Sequence, residues 1–134
     1  MPHDENVRII RRFAERWNDG DLSGLLELAD PAVEVRLSGL WMDIPVLYKG
    51  YDGLRELMTI FREAWQEYSI DLKEFIEVDA ERVLVRQEFR GRGRQGVEVT
   101  RTFGHLHRIV GGKWCGFRSW PEWAEALEAA GLRE

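Results

Sequence analysis

The spacing of hydrophobic residues changes once along this chain, after Tyr68, and that change constrains the fold more than any other feature. Before Tyr68, apolar residues recur at helical spacing, and after it they alternate with period two. The earlier part predicts a helix at 5–19, a short helix at 21–29, a strand at 33–37 and a longer helix that Asp52 caps and whose apolar stripe runs to Trp65.

The later part predicts four successive strands joined by short turns. These strands cover 70–78, 83–90, 97–110 and 113–120, a spacing typical of an antiparallel meander. Pro121 then starts a last short helix, which ends at Gly131. We therefore expect an α+β cone: three N-terminal helices pack on a strongly curved antiparallel sheet, a short C-terminal helix follows, and a cavity lies between helices and sheet.

Length and charge narrow the possible classes of protein. The 134 residues suffice for one domain, 1–134, and the net charge of −5 argues against nucleic-acid binding. The Arg-Gly run at 91–96 fits a hairpin turn better than an RNA-binding tail. Cys115 stands alone, which favours a reducing compartment. The N-terminus is unlike a secretory signal and no apolar run approaches membrane-spanning length, so we expect a cytoplasmic protein that does not bind membranes.

Several segments together resemble the SnoaL-like branch of the NTF2-like superfamily. The resemblance is carried by NDGDLSGLLELADPAVEVR at 18–36, FRGRGRQGVEV at 89–99, HLHRIVGGKW at 105–114 and AEALEAAGL at 124–132. It covers nearly the whole chain and implies the same cone and a homodimer. Relatives of this fold include ketosteroid isomerases, limonene-type epoxide hydrolases, scytalone dehydratases, polyketide cyclases and proteins that bind ligands or partners without chemistry, so the fold alone does not assign a function.

The catalytic groups of two of these enzyme classes lack counterparts at the matching positions. The isomerases have a base Asp just after the first strand, where this chain has Val35-Arg36-Leu37, and their helix-1 Tyr is also missing. Arg101 could stand for the Arg of the epoxide hydrolases' Asp-Arg-Asp relay, but no matching Asp pair is visible. His105 is the nearest match to the strand histidines of the dehydratases and cyclases. The resemblance therefore disfavours an isomerase and an epoxide hydrolase.

Alternation along the predicted strands turns several polar side chains inward. Gln87 shares the inner face of its strand, and Arg101, His105 and His107 share the inner face of the next. Histidine exchanges protons near neutral pH, so His105 is a candidate acid or base; the alternative is that both imidazoles are satisfied core side chains. A zinc site needs a third ligand beside the His-x-His pair, and none is visible, so no metal is predicted.

Two carboxylates are candidates for orienting His105. Glu74 interrupts an apolar stripe in the first strand of the meander, although a β-bulge near Phe75 would turn it to solvent. Asp43 lies in the apolar loop 38–49, which we expect to fold over the cavity mouth or to be buried in a dimer contact. The alternative for Asp43 is a turn-forming role before the proline that follows.

The sequence thus predicts a pocket for a small, largely apolar organic molecule. Its predicted binding residues are Trp17, Trp41, Phe61, Trp65, Gln87, Arg101 and His107. If the protein is an enzyme, His105 would be the acid/base catalyst of a cofactor-free isomerisation, cyclisation, dehydration or hydrolysis, oriented by Glu74 or Asp43. The alternative is a non-catalytic ligand-binding or protein-interaction module. No cofactor is predicted in either case.

Overall fold

The computed structural model describes residues 2–38 and 45–132, with the backbone only for residues 2 and 3. Its helices are α1 (Pro2–Asn18), α2 (Leu22–Leu28), α3 (Gly50–Ala64) and α4 (Trp123–Ala129). Asp21 caps α2 by accepting the backbone N–H of Gly24 at 2.9 Å. The predicted cap of α3 is wrong: the helix begins at Gly50, and Asp52 lies within its first turn, where it pairs with Arg55.

The strands form one curved, open sheet. They are β1 (Ala29–Arg36), β2 (Leu47–Lys49), β3 (Trp65–Glu77), β4 (Arg82–Gly93), β5 (Glu98–Val110) and β6 (Lys113–Trp120), in the spatial order β2-β1-β6-β5-β4-β3. Strands β3 to β6 form the predicted antiparallel meander. Strand β3 begins five residues before the predicted strand, because the chain leaves α3 at Trp65 directly into extended backbone.

The sheet is not wholly antiparallel, which corrects the prediction. Strand β1 pairs with β2 in antiparallel fashion and with β6 in parallel fashion. Gly116 makes the parallel contact possible: its φ is +101°, and a Cβ there would collide with the carbonyl oxygen of Glu34. Strand β2 also lies inside the segment predicted as a loop, and it buries Tyr48 opposite Val35.

The two faces of the sheet bury different apolar clusters. On the inner face, Ile10 of α1, Leu25 of α2 and Leu54 of α3 join the main core with the inward residues of the sheet. On the outer face, α4 packs Ala126 against Leu84 in a second, smaller cluster. Full burial of each large side chain contributes about 1.5–3 kcal/mol. Of the helices described, none has the length and apolar character needed to cross a membrane.

Candidate functional site

A cavity lies between the early helices and the inner face of the sheet. Fifteen of the described residues line it, and thirteen of these are apolar. The apolar ones are Phe13, Trp17, Leu25, Val35, Leu37, Leu54, Leu57, Phe61, Ile70, Phe89, Phe103, Trp114 and Phe117. The space open to water-sized spheres is about 40 Å³. This is a small, largely apolar chamber, the type of site that binds organic molecules.

Two polar side chains interrupt the apolar lining. Gln87 on β4 and His105 on β5 are 4% and 5% exposed. Gln87 lies opposite Phe103, and His105 lies opposite Val85, so the two polar residues are diagonal neighbours on the inner face. Gln87 Oε1 and His105 Nδ1 are buried and make no hydrogen bond within the described part of the chain. An unpaired buried polar atom costs about 1–3 kcal/mol, so a ligand or trapped water that satisfied either atom would be stabilised there.

The environment of His105 keeps its imidazole neutral. Its ring stacks on Phe117, and burial lowers its pKa from 6.5 to about 3. No described carboxylate forms a hydrogen bond or ion pair with this imidazole. An imidazole with so low a pKa takes up almost no proton near neutral pH. The predicted acid/base role of His105 would therefore be inefficient.

His107 lies behind the cavity rather than in its lining. It is fully buried, and its Nδ1 accepts a hydrogen bond of 3.1 Å from the indole Nε1–H of Trp114. Burial, reinforced by the neighbouring His105, holds the pKa of His107 well below its ordinary value. Among the side chains of residues 4–38 and 45–132, no three from His, Cys, Asp and Glu come together to hold a metal ion.

The structure brings only some of the other predicted residues to the cavity. Trp17 and Phe61 line it and meet edge to face, with ring centroids 5.4 Å apart. Trp65 is half-buried and packs on Phe89 outside the lining. Arg101 of β5 lies opposite Phe89 of β4, but its side chain is exposed and does not line the cavity. Trp41 and Asp43 lie outside the described residues.

Glu74 does not face the cavity, and its predicted inward placement is wrong. The β3–β4 register shifts between Leu72 and Glu74, so that Glu74 lies opposite Arg86. The two side chains form an ion pair on the outer face at 3.4 Å, and the Glu74 side chain is 45% exposed. The alternative of a β-bulge is the correct one, although the register shift falls just before Glu74 rather than at Phe75.

Comparison with known proteins identifies the family. A family model described as a SnoaL-like domain matches residues 10–117. The chain belongs to the SnoaL-like family. A search of curated proteins found no significant match.

Solved structures similar to this SnoaL-like chain share its fold. TerC, co-crystallised with polyporic acid, is 20% identical with a TM-score of 0.78, and the match covers 95% of this chain and 98% of TerC. An NTF2-like protein of unknown function from Burkholderia pseudomallei is 23% identical, with coverage of 92% and 95% and a TM-score of 0.77. RV0760c from Mycobacterium tuberculosis, in complex with estradiol-17beta-hemisuccinate, is 12% identical, with coverage of 90% and 95% and a TM-score of 0.77.

Five aromatic residues that line the described cavity of this SnoaL-like chain were not among the predicted binding residues: Phe13, Phe89, Phe103, Trp114 and Phe117. Phe13 stacks on Trp114 with centroids 4.5 Å apart, and Phe117 contacts the imidazoles of both His105 and His107. Strict alternation from Trp114 turns Phe117 outward, but the β5–β6 register shifts between His107 and Ile109 and returns it to the inner face. Gly116, a glycine inside a strand, is the signal that could have indicated this irregularity.

Proposed function

We propose that this protein binds a small, uncharged, mostly apolar organic molecule in the cavity. The lining carries the proposal: thirteen of its fifteen described residues are apolar, and neither Gln87 nor His105 is charged near neutral pH. A charged ligand would lose its hydration without gaining a counter-charge, at a cost of several kcal/mol. A neutral molecule avoids this cost.

The size of the cavity favours a ligand of about one ring. The open space of about 40 Å³ corresponds to roughly three water molecules, since each water needs about 10–15 Å³ of such space. A single aromatic ring then needs only modest movement of the lining side chains. Larger ligands require more extensive repacking of the helices against the sheet.

Two similar structures support small-molecule binding in this fold. TerC carries polyporic acid, and RV0760c carries estradiol-17beta-hemisuccinate. These ligands belong to those proteins. The likeness supports a cavity of the same general kind here, and the homodimer implied by the family resemblance stays a prediction.

The surroundings of His105 favour binding over acid/base catalysis. A general base needs a pKa near the working pH and a partner that orients it. The pKa of His105 is lowered to about 3, and Glu74, one of its two proposed partners, lies on the other face of the sheet. His105 therefore fits a neutral hydrogen-bonding residue of a binding site better than a proton-transfer catalyst.

An NMR titration with α-methylstyrene tests the proposed function. This probe has one ring and no hydrogen-bonding group, and we expect it to shift resonances of the cavity residues selectively. Leu57→Phe adds volume to the lining and should weaken binding at least several-fold. Leu106→Phe, on the outer face beside α4, is the matched control and should leave binding unchanged. Shifts confined to surface residues, or equal affinity in Leu57→Phe and wild type, would contradict the proposal.

A further inference from the structure

The hydrogen bond between Trp114 and His107 determines which nitrogen of His107 carries its proton. An indole N–H can only donate, so His107 Nδ1 must be the acceptor at 3.1 Å and must be unprotonated. A neutral imidazole carries one proton, so the proton of His107 is on Nε2. This N–H is buried and has no hydrogen-bond partner among the described residues.

The neighbouring imidazole offers a complementary unpaired atom. His105 Nδ1 is also buried and lacks a partner in the described structure, and the two ring centroids are 6.0 Å apart. An N–H···N bond between two imidazoles places their centroids about 5 Å apart, from a nitrogen separation of about 3 Å plus two ring radii. A shift of about 1 Å therefore lets His107 Nε2–H donate to His105 Nδ1, which removes two unpaired buried atoms at once.

We propose that Trp114 and His107 hold His105 as the tautomer whose Nε2 carries the proton, so that it donates a hydrogen bond to a carbonyl-type oxygen of the bound molecule. This inference rests on the proposed function and deepens it by naming the ligand class: a neutral ketone, quinone or ester. His107, and Trp114 beside its place in the cavity lining, are positioning residues for this hydrogen bond, since they act on it through His105.

The packing of His105 supports this assignment. Phe117 stacks on its ring with planes only 10° apart, which restricts rotation of the imidazole. With Nδ1 accepting from His107, Nε2–H is the remaining polar group that can serve the cavity. No cationic side chain lines the described cavity, so an uncharged oxygen acceptor matches this donor better than a carboxylate does.

Imidazole tautomers can be read directly by long-range ¹H–¹⁵N correlation spectroscopy of the ¹⁵N-labelled protein. In wild type we expect both His105 and His107 to be protonated at Nε2 and unprotonated at Nδ1. Trp114→Phe removes the donor and should change the pattern of both rings. Trp120→Phe, on the outer face, is the control and should change neither. A His105 protonated at Nδ1 in wild type, or a His105 pattern that Trp114→Phe leaves untouched, would overturn the inference.

A matched pair of probes tests the ligand class and does not need a variant at Trp114. Acetophenone and α-methylstyrene have the same shape, but only acetophenone has an oxygen acceptor. We expect the carbonyl ¹³C resonance of acetophenone bound to wild type to lie downfield of that of acetophenone bound to His105→Phe, because only wild type has the imidazole donor. We also expect His105→Phe to lower the affinity for acetophenone by roughly 2- to 10-fold more than the affinity for α-methylstyrene. This factor corresponds to the contribution of one neutral hydrogen bond.

The outcomes separate this inference from the proposed function. If α-methylstyrene binds in the cavity but the affinity ratio is the same in wild type and His105→Phe, the ligand class is wrong and the binding cavity stands. If neither probe reaches the cavity, the proposed function fails, and the ligand class fails with it. An acetophenone carbonyl resonance that is the same at saturation in wild type and in His105→Phe also counts against the ligand class.

Discussion

The imidazole of His105 stacks face to face on the ring of Phe117, with centroids 4.1 Å and planes 10° apart. This contact places a titratable group among aromatic rings, where its charged form is poorly solvated. The same burial that makes His105 a neutral member of the cavity also couples its protonation to folding.

The stability of the protein should fall in mild acid because of the buried imidazoles. The pKa of His105 is about 3 when folded and near 6.5 when unfolded, so the unfolded state binds more protons between these values. Stability is then fully present above about pH 6.5 and is lost as the pH falls toward 3, with a slope of up to about 1.4 kcal/mol per pH unit for this one proton. The pKa of His107 is lowered too and acts in the same direction.

Urea denaturation across this pH range measures the effect. His105→Phe keeps an aromatic ring on Phe117 but cannot be protonated, so its stability should decline less steeply in acid than that of wild type. Above pH 6.5 the two proteins should show the same slope, because His105 of wild type is then neutral in both the folded and the unfolded state. Equal slopes throughout the acid range would mean that His105 is not buried as a neutral imidazole.

Gln87→Leu should stabilise the ligand-free protein. Gln87 Oε1 is buried without a described partner, and a leucine of similar volume removes that unpaired atom while keeping the apolar packing. We expect an increase of about 1 kcal/mol in the free energy of unfolding. Gln66→Leu, at an exposed position, is the control and should change it by less than about 0.5 kcal/mol. A loss of stability in Gln87→Leu would indicate that the amide already has a partner.

Arg94 should stabilise the end of α3. Its guanidinium donates from Nε to the carbonyl oxygen of Glu63 at 2.7 Å and from Nη2 to that of Arg62 at 2.8 Å. These carbonyls lie in the last turn of the helix, where a cation also complements the helix dipole. Arg94→Ala should therefore cost about 1 kcal/mol in thermal or urea denaturation.

Arg92→Ala provides the comparison for Arg94. Among the described residues, Arg92 pairs only with the exposed carboxylate of Glu98, at 3.3 Å, and such an ion pair contributes little to stability in water. Its removal should change stability by less than about 0.5 kcal/mol. If Arg94→Ala and Arg92→Ala lower the free energy of unfolding by the same amount, the hydrogen bonds from Arg94 to α3 do not contribute the expected stability.

The sequence predicted the inner face of β4 and β5 well because both strands keep a strict two-residue period there. Gln87, His105 and His107 are buried on the expected face. The predictions failed where the period slips: one register shift turned Glu74 outward, and another returned Phe117 inward. A register shift depends on pairing between strands, and a local pattern does not record it.

The parallel pairing of β1 with β6 could not be predicted for a related reason. These strands are far apart in the sequence, and the residues of β1 alternate in the same way whether its neighbour is parallel or antiparallel. The positive φ of Gly116 is visible only once the neighbouring strand is in place. Local spacing therefore gave the elements and most of their inner faces, while the partners of each strand came from long-range packing.

The last prediction concerns Gly104, which permits α4 to dock on the outer face of the sheet. A Cβ at Gly104 would collide with the Cβ of Ala126 and press on the ring of Trp123. Gly104→Ala should therefore push α4 away from β5 and lower the free energy of unfolding by about 1–3 kcal/mol. Because α4 lies on the face opposite the cavity, binding of α-methylstyrene should be much less affected than stability.

A double variant tests whether the collision is the cause. Ala126→Gly removes the colliding methyl group at a cost of about 1 kcal/mol for a helix interior, so Gly104→Ala combined with Ala126→Gly should lose less than the sum of the two single variants. Gly93→Ala is the matched control, because a Cβ there meets Val97 O at an ordinary 3.7 Å. Strict additivity of the Gly104 and Ala126 variants would show that α4 adjusts without strain and that glycine is not required at this contact.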